Sequence, residues 1–143
     1  MFAASEGSDF SRLPRAVRLQ LAIAQPAVFG ALGGFLLATD ATAYWILTVV
    51  AVLGGLAGGF DHSTGRGAAG RGLLSGSAFG AGLISAYAFH GGVALVEIPS
   101  PAGLLVPIAA GSGVVLGIAG SALRRKGTRW SAEAKSGSDR IRP

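Results

Sequence analysis

The sequence predicts an all-α membrane protein in which four helices cross the bilayer and pack as a bundle. Three observations predict it. Four apolar segments each approach the roughly 20 residues that span about 30 Å of hydrocarbon. Only 13% of the residues are charged and half are hydrophobic, against about 25% charged in a soluble domain. All 12 lysines and arginines lie outside these four segments.

The first span, 19–38, carries no charge. Pro26 lacks an amide hydrogen and therefore frees a carbonyl one turn earlier, which kinks a helix. Gln25 beside it needs a hydrogen-bond partner inside the bundle, with Thr48 or Ser112 expected in that role. Ala41-Thr42-Ala43 looks like a signal-peptidase site. The preceding apolar stretch, however, exceeds the roughly 7–15 residues of a signal core, so a retained span is expected.

The second span, 43–60, is also uncharged, with Tyr44 and Trp45 at its outer end, where interfacial aromatics gather. The third, 72–96, has His90 as its only ionisable group, placed roughly 9 Å of helix from its outer end. The fourth, 102–123, is uncharged and follows Pro99 and Pro101, which stop a helix on entry. None of the four alternates as a membrane strand would. Isolated helices also satisfy their own backbone in lipid.

Charge sets the expected orientation. Arg12, Arg15 and Arg18 precede the first span. Arg66 and Arg71 sit in the central loop, and seven basic residues from Arg124 onward follow the fourth span. The remaining two loops hold only Asp40 and Glu97. An even number of spans places every basic residue on one side, so both ends are expected in the cytoplasm. Residues 1–18 are expected at the interface, with Phe10, Leu13 and Val17 at helical spacing. The tail, 124–143, is expected to be disordered.

Arg66, Arg71, Arg124, Arg125 and Lys126 are then expected to meet lipid headgroups, and nucleic acid is not expected as a partner. Arginine outnumbers lysine ten to two amid abundant alanine and glycine, which fits a GC-rich bacterial genome and an inner-membrane location.

Chemistry-bearing motifs are scarce. Without cysteine there is no disulfide, thiolate nucleophile or thiolate metal site. No serine has the histidine and carboxylate company that nucleophilic catalysis requires. The glycine-rich run 65–72 lacks the lysine-serine/threonine ending of a phosphate loop. No enzyme, cofactor or metal is therefore expected.

Glycine spacing is informative instead. Lipid tails are as apolar as leucine, so helices associate in a membrane through close backbone approach, which small residues four apart permit. Gly30 with Gly34, Gly54 with Gly58, Gly76 with Gly80, and Gly113 with Gly117 are the expected packing pairs. Gly55 with Gly59 forms a second row on the second span. The halves also echo each other: Phe29-Gly30-Ala31 recurs as Phe79-Gly80-Ala81, and Leu53-Gly54-Gly55 parallels Leu116-Gly117-Ile118. Two repeated hairpins would produce this pattern.

The function expected is that of a non-catalytic membrane protein that self-associates or serves as an accessory subunit, with lipids, itself or another membrane protein as partners. The alternative is a small channel or transporter with a weakly polar pore of Gln25, Thr48, Ser85, His90 and Ser112.

Overall fold

The computed structural model describes residues 14–60, 64–91 and 93–139. The described chain forms four α-helices: α1 (Arg15–Thr39), α2 (Ala41–Phe60), α3 (Gly65–Phe89) and α4 (Leu105–Asp139). A single 3-10 turn, Ala102–Leu104, leads into α4. No strand occurs among the described residues.

Each boundary has a local cause. Asp40 separates α1 from α2 in extended conformation, and its carboxylate accepts from the amides of Thr42 (2.9 Å) and Ala43 (3.0 Å). This is N-capping of α2 by a side chain that short acidic residues favour. Thr64 does the same for α3, its hydroxyl accepting from the Gly67 amide at 3.3 Å.

At the far end of α3, Gly91 adopts φ +81°. This left-handed conformation, open to glycine without a Cβ penalty, ends the helix one residue after the His90 cap. The connector that follows is tied back to α1, with the Leu95 amide donating to the Leu37 carbonyl at 2.9 Å.

Three helical segments are long and apolar enough to cross a membrane: Ala41–Phe60, Gly65–Phe89 and Ala102–Gly127. The described apolar part of α1, Ile23–Thr39, is shorter. Two boundaries differ from expectation. The third helix runs from Gly65 to Phe89 rather than over 72–96, because Thr64 starts it early and Gly91 stops it early. Arg66 and Arg71 therefore stand on its first turns and not in a loop. α4 continues as helix to Asp139 through the segment expected to be disordered. No proline interrupts 124–139, and alanine, glutamate and lysine there favour helix. The interfacial segment expected before the first span lies outside the described residues up to residue 13.

α3 is the central element, packing along α1 on one side and α4 on the other. Order along the contacts gives the directions. Gly30 meets Phe79 and Gly34 meets Leu83, so α1 and α3 run parallel. Gly72 meets Gly113 and Gly76 meets Ala109, so α3 and α4 run antiparallel. α2 lies alongside α4 in the same direction, Gly55 against Leu116 and Gly59 against Gly117 and Gly120.

The two proposed hairpins are not packed alike. α3 and α4 pack closely along their length, while α1 and α2 touch sparingly. Glycines face each other across the first pair and not across the second.

The interior is built of small residues. Gly30, Gly33, Gly34, Gly59, Gly72, Gly80, Gly117 and Gly120 are buried. Among the described residues, the buried apolar side chains are Leu37, Ala68, Leu83 and Ala110, and Ser121 is the buried polar one. Large apolar residues point outward instead: Val28, Trp45, Ile46, Val49, Leu53, Phe89 and Val115 are all more than half exposed. A surface of this kind is costly in water at about 25 cal/mol per Å² of apolar area, whereas hydrocarbon accommodates it at no cost.

Candidate functional site

Two features emerge from the residues upward: the glycine contacts, and a cavity that the helices leave between them.

A methyl group on Gly30 would overlap the backbone carbonyl of Phe79, and one on Gly34 would overlap that of Leu83. From the other side, Gly82 meets the Ala27 carbonyl in the same way. Between α3 and α4, Gly76 abuts Ala109, Gly80 abuts Val106, and Gly117 abuts Ala68. Approach this close sets glycine Cα hydrogens against carbonyl oxygens, contacts worth about 0.5–1 kcal/mol each.

Gly54 and Gly58 depart from the expectation. A Cβ at either position would meet nothing within 4 Å. The adjacent row, Gly55 and Gly59, carries the contact with α4. Neighbouring positions on a helix point about 100° apart, so only one of the two rows can face α4.

α2 crosses from one neighbour to the other. Near its start, Leu47 lies against Gly33 of α1, where a Cβ would sit 3.5 Å from the leucine Cδ2. Near its end, the Leu56 carbonyl lies against Gly120 of α4. This crossing leaves a cavity of about 480 Å³ to which all four helices contribute. Phe29, Phe79, Leu83, Leu105, Ile108 and Leu116 are among the residues of its apolar wall, with Val50, Val52 and Gly54 along its α2 side.

Gln25 and Pro26 from α1, Tyr44 and Thr48 from α2, Ser75 from α3 and Ser112 from α4 supply its polar points. The Thr48 hydroxyl donates to the Tyr44 carbonyl at 2.9 Å and the Ser75 hydroxyl to the Gly72 carbonyl at 3.3 Å. The side chains of Gln25, Tyr44 and Ser112 make no hydrogen bond with another described residue. Among the described residues, no Asp, Glu, Lys, Arg or His lines the cavity.

The five residues expected to line a pore thus divide. Gln25, Thr48 and Ser112 share the cavity, while Ser85 and His90 do not. The exposed Ser85 hydroxyl donates to its own helix at the Ala81 carbonyl, 2.8 Å away. His90 is exposed at the end of α3. Its Nδ1 lies 3.1 Å from the Ala86 carbonyl and its ring stands edge-on to Phe35 at 4.8 Å. The signal for this was present in Gly91-Gly92, a helix stop that outweighs the apolarity of the residues beyond it. Tyr44, Ser75 and Phe79 were missed as cavity residues because one apolar or hydroxyl side chain per helix turn carries no pattern of its own.

The expected headgroup residues cluster at one end of the helices, where α3 begins and the apolar part of α4 ends. Arg66, Arg124, Arg125 and Lys126 are exposed and Arg71 is half-buried. Arg124 has a defined role: its Nη1 donates to the Phe60 carbonyl at 2.8 Å, capping the C-terminus of α2. No group of three or more His, Asp or Glu residues comes together among the described residues. Comparison with protein-family models, characterised proteins and solved structures finds no match to the chain.

Proposed function

We propose that this chain is a non-catalytic bacterial inner-membrane protein, a four-span bundle with both ends in the cytoplasm, that associates with itself or with a larger membrane complex. The observation that carries this reading is the contrast between the two glycine rows of α2. Gly55 and Gly59 are consumed by α4, whereas a Cβ at Gly54 or Gly58 would meet nothing within 4 Å beside the exposed Val50 and Leu53, with Val50 and Gly54 also bordering the cavity. In lipid, a small-residue row with no internal partner is where a second helix can approach closely. The segregation of all 12 basic residues supports the orientation.

The test is the particle mass in nanodiscs, for the native chain and for Gly54→Leu with Gly58→Leu. Association that the double substitution weakens supports the reading. A strict monomer, indifferent to the change, overturns it.

A small channel or transporter is the second reading, and the meeting of Gln25, Thr48 and Ser112 in one cavity favours it. The absence of charge from that cavity argues against ion-coupled transport. Solute flux into proteoliposomes, measured over a panel of ions and neutral solutes, decides it.

A further inference from the structure

We propose that the cavity between the four helices is a binding site for a neutral, single-chain amphiphile: a long apolar molecule bearing one uncharged oxygen group, of the alcohol, ketone or ester class. This goes beyond helix association: one chain supplies the whole cavity wall, and its edge at Val50 and Gly54 adjoins the face proposed for association.

The volume comes first. About 480 Å³ falls within the roughly 300–1,000 Å³ of small-molecule sites. Helices in lipid pack by close backbone contact, and α1, α3 and α4 do so wherever their glycines meet. The cavity lies beside that contact, where α2 stands off from Gly76, Ala109 and Gly113.

Polarity gives the class. Three side chains on three helices, Gln25, Tyr44 and Ser112, line it and hold hydrogen-bonding groups with no partner among the described residues. Polar groups left unpaired in a hydrocarbon setting are costly. Gln25 and Ser112, an amide and a hydroxyl, offer both donors and acceptors and so suit an oxygen that can accept or donate, while Tyr44 stands toward the other end of the cavity, where α2 meets α1 at Gly33.

Charge narrows it further. With no ionised side chain on the wall among the described residues, a carboxylate or an ammonium would be desolvated without compensation. The aromatic and leucine wall suits a hydrocarbon chain and gives water too few partners to fill the space.

The experiment uses the full chain in nanodiscs and photolabelling by a diazirine-bearing hexadecanol, with attachment sites mapped by mass spectrometry. Three companions carry the same diazirine chain: a carboxylic acid, a quaternary ammonium and a phosphatidylcholine. The expected result is saturable labelling at Phe29, Thr48 or Leu116 by the alcohol, competed by unlabelled hexadecanol. Labelling is expected to fall about tenfold in Gln25→Leu, which removes the amide, and in Ser112→Phe, which fills the space.

Both substituted residues are exposed, and an unchanged helical circular dichroism spectrum verifies the fold. Gln25→Leu keeps the test alive should Ser112→Phe misfold. Unsaturable labelling spread over outward residues such as Val28 and Leu53, or labelling unaffected by the substitutions, overturns the proposal. Equal occupancy by the charged probes overturns its charge selectivity, and preferential labelling by the phospholipid makes the occupant bilayer lipid instead. Particle mass read on the same nanodiscs keeps this outcome separate from association.

Discussion

Gly72 of α3 and Gly113 of α4 meet backbone to backbone: a β-carbon on either residue would overlap the carbonyl oxygen of the other. Neither helix has a flexible side chain at that point that could move aside. The contact stands in the middle of a row running from Ala68 against Gly117 to Gly80 against Val106. It fixes how near α3 and α4 lie, and therefore the width of the cavity beside them.

Gly113→Leu is predicted to cost about 3 kcal/mol or more, the upper range for overpacking a site that cannot relax. Gly54→Leu, with nothing within 4 Å of its Cβ, is predicted to leave the stability of the single chain within about 0.5 kcal/mol of native. Reversible unfolding in mixed micelles, monitored by circular dichroism under dilute conditions, measures both. Equal losses at the two positions would contradict the rotation of α2 described above.

Arg124→Gln is predicted to destabilise by about 1 kcal/mol, through loss of a charge-assisted bond to the last carbonyl of α2 and of a cation near that helix end. Arg124 is exposed, so the figure already allows for solvent screening. Lysine should restore part of the loss, and alanine none. Hydrogen exchange at the end of α2 should rise in the glutamine variant, with α1 unaffected.

Asp40→Ala removes the acceptor for the Thr42 and Ala43 amides. A cost of about 1 kcal/mol is predicted, typical of a lost N-cap, and Asn should recover most of it. Added divalent cations should leave the native stability unaltered, because the carboxylate serves two amides and no group of three or more His, Asp or Glu comes together among the described residues.

Gly91→Ala places a β-carbon at φ +81°, at a predicted cost of about 1–2 kcal/mol. A spin label at Val93 should then report a changed distance to α1, because the connector anchored by Leu95 on Leu37 begins there. An unchanged distance with unchanged stability would mean that the stop is set elsewhere.

Much of the local architecture was legible before any packing was known. Apolarity and the polar breaks are properties of single segments, so four helices could be read from Thr39-Asp40, from the prolines near 100 and from the uncharged runs between them. The third helix was displaced because hydropathy weighs side chains, whereas Thr64 and Gly91 act through the backbone. The cavity was half legible: Gln25 beside Pro26 announces an unmet need inside a helix, and Thr48 and Ser112 were the partners expected to stand near it. Ser85 and His90 are equally polar on paper, yet one is bonded to its own helix and the other lies past a helix end.

Composition alone therefore determined that this chain is helical and suited to hydrocarbon, and that glycine governs how its helices meet. Rotation of each helix about its own axis belonged to the tertiary structure. On α2 the rows Gly54/Gly58 and Gly55/Gly59 are chemically equivalent in sequence, and about 100° of rotation separates them. Which row turned inward depended on the shape that α4 offered at Leu116, Gly117 and Gly120. A helix's periodicity records which residues share a face, but only the neighbour's surface decides which face is covered.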